Sequence, residues 1–237
     1  MGVLPHAGLM FSGRFIRDFF SNLDSRVDRV LVISPSHYHV LPEDTFVISS
    51  FDSAASPLGS VPVFRPDLPG AMVCDEAIQS EHALEMFIPF CAARSLAVGF
   101  AMVGDVSGRD ALDALARDVR ALLDGRTALI ASSDFTHYGR RFGYMPYGAD
   151  GEKKAVAEDL RIASLLCRAD VDVILPIRHR RTICGIVPAM IVSLAASSLG
   201  LAGQVVDSGT SCGIMGTSGD DFVSYVSIFW RCGDERL

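Results

Sequence analysis

The 237-residue sequence has no block of basic residues beyond the short run Arg178, His179, Arg180 and Arg181, and 28 acidic against 21 basic side chains leave a formal charge of −7. Without a cationic stripe there is little to neutralise a row of phosphates, so no nucleic-acid partner is expected. Paired cysteines are missing as well. The six, Cys74, Cys91, Cys167, Cys184, Cys212 and Cys232, lie far apart with no CxxC spacing. That excludes the dense disulfide scaffold of a small secreted domain and predicts reduced thiols. The first residues lack a basic segment followed by an apolar stretch, so no signal peptide is read and a cytoplasmic location is expected. A GxxxxGK[ST] phosphate loop, a GxSxG nucleophile elbow and an HExxH helix are also absent, and nucleotide chemistry is not indicated.

One absence points the other way. Residues 182–206 carry no charge, a length that could cross a bilayer as a helix of ~20 residues. Pro188, the glycines Gly185, Gly200 and Gly203, and the polar Ser193, Ser197 and Ser198 interrupt it. It is read as a buried helix stopping near Gly200 before a new strand, and no membrane partner is expected.

What is present is apolar and alternates in type. Hydrophobic residues make up 49% and charged ones 21%, and mean hydropathy is +0.32, enough to bury a large core in one domain spanning 1–237. Val30, Leu31, Val32 and Ile33 form a β-branched run that ends in Ser34 and Pro35, as a buried parallel strand feeding a loop would. Strand-like runs follow at 46–49, 98–103, 128–131, 204–206 and 223–229. Apolar spacings of three and four predict helices over 11–23, 75–94, 109–123, 152–167 and 186–199. Such alternation predicts stacked α/β layers. Residues 50–70 and 138–151, rich in glycine and other turn formers, read as long loops.

Three of the six histidines fall where a strand ends and a loop begins, the edge at which open α/β sheets bind ligands. His6 lies in Pro5-His6-Ala7-Gly8, His37 directly after the 30–33 strand, and His137 after the strand containing Leu129 and Ile130. Imidazole suits Zn, Cu, Fe and Ni, so a metal site built from separate loops is plausible on these grounds. Cys184 precedes the apolar helix near Ile186, and a helix start lowers a thiol pKa and favours the metal-ligating thiolate; the other reading is a small buried hydrophobe. Asp134, three residues before His137, either orients an imidazole and accepts a proton or caps a turn. Glu81 and Glu85 share one face of the 75–94 helix with His82 off it, which reads as a solvated helical face.

Taken together, these strings resemble the MEMO family, the Memo-like proteins also called AmmeMemoRadiSam system protein B. They are Pro5-His6-Ala7-Gly8 with Ser12-Gly13, Ser34-Pro35-Ser36-His37, Glu81-His82-Ala83-Leu84-Glu85, Ser132-Ser133-Asp134-Phe135-Thr136-His137-Tyr138-Gly139 with Arg141-Phe142, Thr182-Ile183-Cys184-Gly185, and Ser224-Tyr225. They occur in the family's order and cover nearly the whole chain. The resemblance implies a three-layer α/β/α fold with a central mixed sheet, similar to the class III extradiol dioxygenases. It further implies a metal pocket with His6, His37 and Cys184 as ligands, Asp134 and His137 lining it as proton-handling groups, and His82 nearby.

Two departures qualify what the resemblance implies. A cysteine stands where the dioxygenases use a carboxylate, so ring cleavage is not simply inherited, and the activity rests on fold analogy. The Ser-Trp-Tyr segment usual before the Pro-His-Ala-Gly string is missing, and His39 is left unassigned. The leading expectation is a metal-binding protein holding a divalent or redox-active ion, iron or copper ahead of zinc, with a dioxygenase-type activity on a small molecule. The alternatives are a non-catalytic protein binding a metal, peptide or small ligand in signalling or redox control, and a zinc hydrolase.

Overall fold

The computed structural model describes residues 1–148 and 151–231; Cys232 lies outside them. The chain runs β1 (Gly2–Leu4), α1 (Leu9–Ser21), β2 (Arg29–Ser34), β3 (Phe46–Ile48), β4 (Ser53–Ser56), β5 (Gly59–Pro62) and β6 (Met72–Val73). It continues through α2 (Asp75–Ser80), α3 (His82–Glu85), α4 (Ile88–Ala93), β7 (Ala97–Val103), α5 (Arg109–Ala121), β8 (Thr127–Ser132) and β9 (His137–Tyr138). After α6 (Gly151–Cys167) come α7 (Val171–Ile174), α8 (Ile186–Ser198), β10 (Ala202–Thr210), α9 (Ser211–Met215) and β11 (Phe222–Arg231).

One mixed sheet runs in the order β10-β11-β1-β8-β2-β7-β3-β6, with β9 paired to β11. At its centre β1, β8, β2 and β7 are mutually parallel, while β11 runs antiparallel to both β1 and β10. The strands' side-chain period of two explains why both faces are covered. In β2, Leu31 and Ile33 enter the core cluster shared with α5, α6 and α8, whereas Val30 and Val32 enter the cluster shared with α1, α2 and α4. In β8, Leu129 and Ala131 point one way and Ala128 and Ile130 the other. The result is the three-layer α/β/α arrangement with a central mixed sheet.

The uncharged 182–206 stretch contains α8, buried along almost its whole length, and then β10. Its apolar character follows from packing against α5 and β8. Among the described residues no helix is long and apolar enough to cross a membrane.

Three expectations need correction. The single helix over 75–94 is instead α2, α3 and α4, interrupted at Glu81, whose backbone is extended (φ −89°, ψ 105°). Its side chain accepts a hydrogen bond from the Ala83 amide and so caps α3, and Pro89 starts α4, where its missing N–H costs nothing. The 50–70 excursion contains the β4–β5 hairpin. Gly2 to Leu4 form a strand that periodicity did not mark, because three residues are too few to show a period and only pairing with β8 and β11 defines it.

Candidate metal centre

The parallel strands β1, β2 and β8 deliver their loops to one edge of the sheet. His6 follows β1 by two residues, His37 follows β2 by three, and Asp134 follows β8 by two. Asp134 Oδ1 accepts the backbone N–H groups of His6 (2.9 Å) and Ala7 (3.3 Å), tying the β1 loop to the β8 loop across 128 residues. Gly185 closes the third side. A Cβ there would lie 2.2 Å from the Ser132 carbonyl oxygen and 2.6 Å from Ser133 Cβ, so only glycine lets the start of α8 approach the end of β8 this closely.

Among the described residues, His6, His37 and His82 each offer a ligand atom within 4.8 Å of the other two. Their ring centroids are 4.6 to 5.4 Å apart. In all three, Nδ1 is engaged by the protein. His6 Nδ1 is 2.7 Å from Ser132 Oγ, and Ser132 spends its single hydroxyl proton on the Ala83 carbonyl at 2.7 Å. The hydroxyl must therefore accept from His6, which puts the imidazole proton on Nδ1 and leaves a lone pair on Nε2. His37 Nδ1 donates to Glu81 Oε1 at 2.8 Å. His82 Nδ1 faces Glu81 Oε1 at 3.3 Å and Tyr38 Oη at 3.1 Å. Burial, with the neighbouring imidazoles His37 and His82, lowers the His6 pKa well below its ordinary value and keeps that ring neutral. Burial likewise lowers that of His82.

Glu81 is the residue that sequence reasoning misplaced. It is not on a solvated helical face: the side chain is buried, and the carboxylate gathers the His37 backbone N–H (2.7 Å), His37 Nδ1, His82 Nδ1 and the Ala83 amide. Burial pushes its pKa up, but the His37 and Ala83 hydrogen bonds outweigh that and hold it below the ordinary carboxylate range. The available signal was its place directly before His82. A carboxylate on the far nitrogen of an imidazole is the usual device for fixing the tautomer of a metal ligand.

Cys184 Sγ lies 3.4 Å from His6 Nε2 and 3.5 Å from the Asp134 carbonyl oxygen. Burial, and the charge of Asp134, push the thiol pKa up, opposite to the shift expected from the helix start alone. His137 points its Nδ1 at the carbonyl oxygens of Thr182 (2.9 Å) and Phe135 (3.1 Å), so that nitrogen carries a proton and donates to them. Asp134 makes backbone contacts to the β1 loop, and burial raises its pKa. His39 Nε2 meets Ser80 Oγ at 3.0 Å. The cluster lines neither of two cavities, of about 410 and 320 Å³; the second shares only Glu81 with it.

A mixed-sheet α/β/α protein that gathers three imidazoles and a thiol at the end of its parallel strands belongs to the class of proteins with a built donor cluster on a layered scaffold. The comparisons make this specific: the model of the family described as "Memo-like protein" matches residues 2–229, and the chain belongs to that family. A MEMO1 family protein of Methanopyrus kandleri is 28% identical over 250 residues, covering 98% of this chain and 83% of the relative. A MEMO1 family protein of Schizosaccharomyces pombe is 32% identical over 162 residues, or 61% of this chain, and that match spans about half, 52%, of the relative's length. The crystal structure of an uncharacterized protein from Escherichia coli superposes with a TM-score of 0.56 at 15% identity, covering 96% of this chain and 99% of that one, a likeness of fold.

Proposed function

We propose that this protein binds a redox-active metal ion, iron or copper, through His6, His37 and the neighbouring His82 and Cys184, and uses it in oxidative chemistry on a small organic substrate. The observation that carries the reading is the shared orientation of the imidazoles: Nδ1 of His6, His37 and His82 is taken up by Ser132, Glu81 and Tyr38, so the nitrogen left for a metal is Nε2 each time. The donor set fits. Ligands of one ion at ~2.0 Å (nitrogen) and ~2.3 Å (sulfur) lie about 3.5 Å apart, and Cys184 Sγ is 3.4 Å from His6 Nε2. Two or three of these donors with an open position would form a set that supports catalysis, and an ion held there would supply Lewis-acid and redox chemistry.

The chain's own groups then have distinct tasks. Glu81 and Ser132 hold the imidazole tautomers; Asp134 holds the His6 loop. His137, its Nδ1 locked on two carbonyls, presents Nε2 to take up or deliver a proton at the substrate.

The test is metal content of protein purified without chelators, measured on wild type and on His37→Ala, His82→Ala and Cys184→Ala. Loss of metal from His37→Ala is required, and unchanged content in that variant would sink the ligand assignment. The His82 and Cys184 variants decide which of the two completes the set. Oxygen uptake by the iron-loaded protein with a panel of catechols then separates an enzyme, which consumes oxygen, from a protein that only binds.

A further inference from the structure

Behind the histidine cluster, on the other side of Glu81, lies a cavity of about 320 Å³ between the β4–β5 hairpin and helices α2 to α4. Phe51, Ile78, Leu84, Ile88 and Phe100 supply its apolar walls. Ile78, Leu84, Ile88 and Phe100 are buried residues of the α1-side core. Beside the neutral Ser53 and Gln79, its charge is of one sign. Two carboxylates, Glu81 and Glu85, line it and no Lys, Arg or His does.

The two carboxylates are not equivalent. Glu81 is saturated by donors from His37, His82 and Ala83. Glu85 is exposed at the other end of α3, and no cation among the described residues forms an ion pair with it. Glu85, whose electrostatic neighbour is the His82 imidazole on the same helix, places a negative charge at the rim of an apolar floor, the complement of a small molecule with an apolar body and one cationic head. The volume is at the lower end of ligand pockets, ~300 to 1,000 Å³, so the body is a single ring or a short alkyl chain.

We infer that this cavity is a binding site for a small aryl- or alkyl-amine, with its ammonium at Glu85 and its apolar body against Ile78, Leu84, Ile88 and Phe100. Glu81 is a wall common to this site and the histidine cluster, so an occupant bears on the residue that holds His37 and His82. The site stands without any metal at the cluster, and its test uses the chain alone.

Phenethylamine, phenethyl alcohol and phenylacetate, which share a ring and differ in charge, are titrated into nitrogen-15-labelled protein and followed by amide chemical shifts. The amine is expected to saturate with a dissociation constant of roughly 0.1 to 1 mM, ordinary for so small a ligand. The shifts should centre on residues 51–55 and 78–88. The alcohol should bind about three- to fivefold more weakly, the scale of one exposed ion pair, and the carboxylate at least about tenfold more weakly. Glu85→Gln, at an exposed position, should abolish the amine's advantage over the alcohol, and Ala54→Phe, which fills the cavity from β4, should abolish binding of both. Absence of saturation by about 10 mM amine, equal binding of the three probes, or undiminished binding to both variants would each overturn the assignment.

Discussion

Glu81→Gln preserves the shape of the side chain and changes only its charge and one acceptor, so it isolates what the buried carboxylate does. Of the donors that converge on it, His37 Nδ1, Ala83 N and His82 Nδ1 meet Oε1, and the His37 backbone N–H meets Oε2. A glutamine keeps most of these only with its carbonyl oxygen in the Oε1 place. Its NH₂ then faces the His37 N–H and leaves that buried donor unpaired, a loss of ~1 to 3 kcal/mol, and the remaining bonds lose charge assistance of about 1 kcal/mol in all. The sum is about 2 to 4 kcal/mol. For a chain of this length, at roughly 2 to 4 °C per kcal/mol, the melting temperature should fall by roughly 4 to 16 °C. The His37 tautomer should also loosen, weakening metal binding about ten- to hundredfold. Thermal unfolding and metal titration measure the two effects, with Glu85→Gln, exposed on the same short helix, as a control expected within about 0.5 kcal/mol of wild type. If Glu81→Gln matched that control in both assays, the carboxylate would not organise the cluster.

Three further outcomes follow from other parts of the structure. Burial raises the Asp159 pKa from 3.8 to about 6, more than its hydrogen bonds from Thr136 lower it. The unfolded chain therefore ionises first: Asp159 causes no loss below the unfolded value, stability falls as pH rises from about 4 to 6, and the loss then stays constant at up to about 3 kcal/mol. Urea unfolding at pH values across that window should show Asp159→Asn gaining on wild type as pH rises; a pH-independent difference would contradict the shift. Gly185→Ala forces a methyl group against the Ser132 carbonyl and should cost about 1 to 3 kcal/mol, with α8 displaced in a crystal structure of the variant. Saturating metal at about 100 times its dissociation constant should stabilise the protein by about 2.7 kcal/mol, an increment in melting temperature that a chelator removes from wild type and that His37→Ala never shows.

Much of the scaffold is legible in the sequence because it obeys local periods. Val30 to Ile33 alternate between the two faces of a buried parallel strand, α5 and α6 follow spacings of three and four, and α8 shows as a nearly continuous apolar run because it is buried all round. The strand-end position of His37 is legible for the same reason, strand and loop being adjacent in sequence, whereas the strand before His6 is defined only by its pairing with β8 and β11. Glu81 is not legible in this way. Its extended conformation depends on bonds to His37, 44 residues away, and helical spacing between Glu81 and Glu85 masks the break. His82, read as merely near the pocket, joins His6 and His37 because that break starts a new helix at it. The Cys184 thiol shows the same limit, since the helix start is local and visible but the burial that outweighs it comes from the packing of Gly185 on β8.

The strand that carries His6 has a consequence for the order in which the molecule is made. Gly2 and Val3 sit between β8 and β11, paired to Phe229 and Ile228 on one side and to Ile130 and Ala131 on the other. On a ribosome these residues emerge long before β11 does, and must wait, unzipped on that side, before their second neighbour exists. Closing so long a loop is slow. His37, His82 and Cys184 can be synthesised while His6 still hangs on an open edge, so the side chains of this cluster are not held together until β11 arrives.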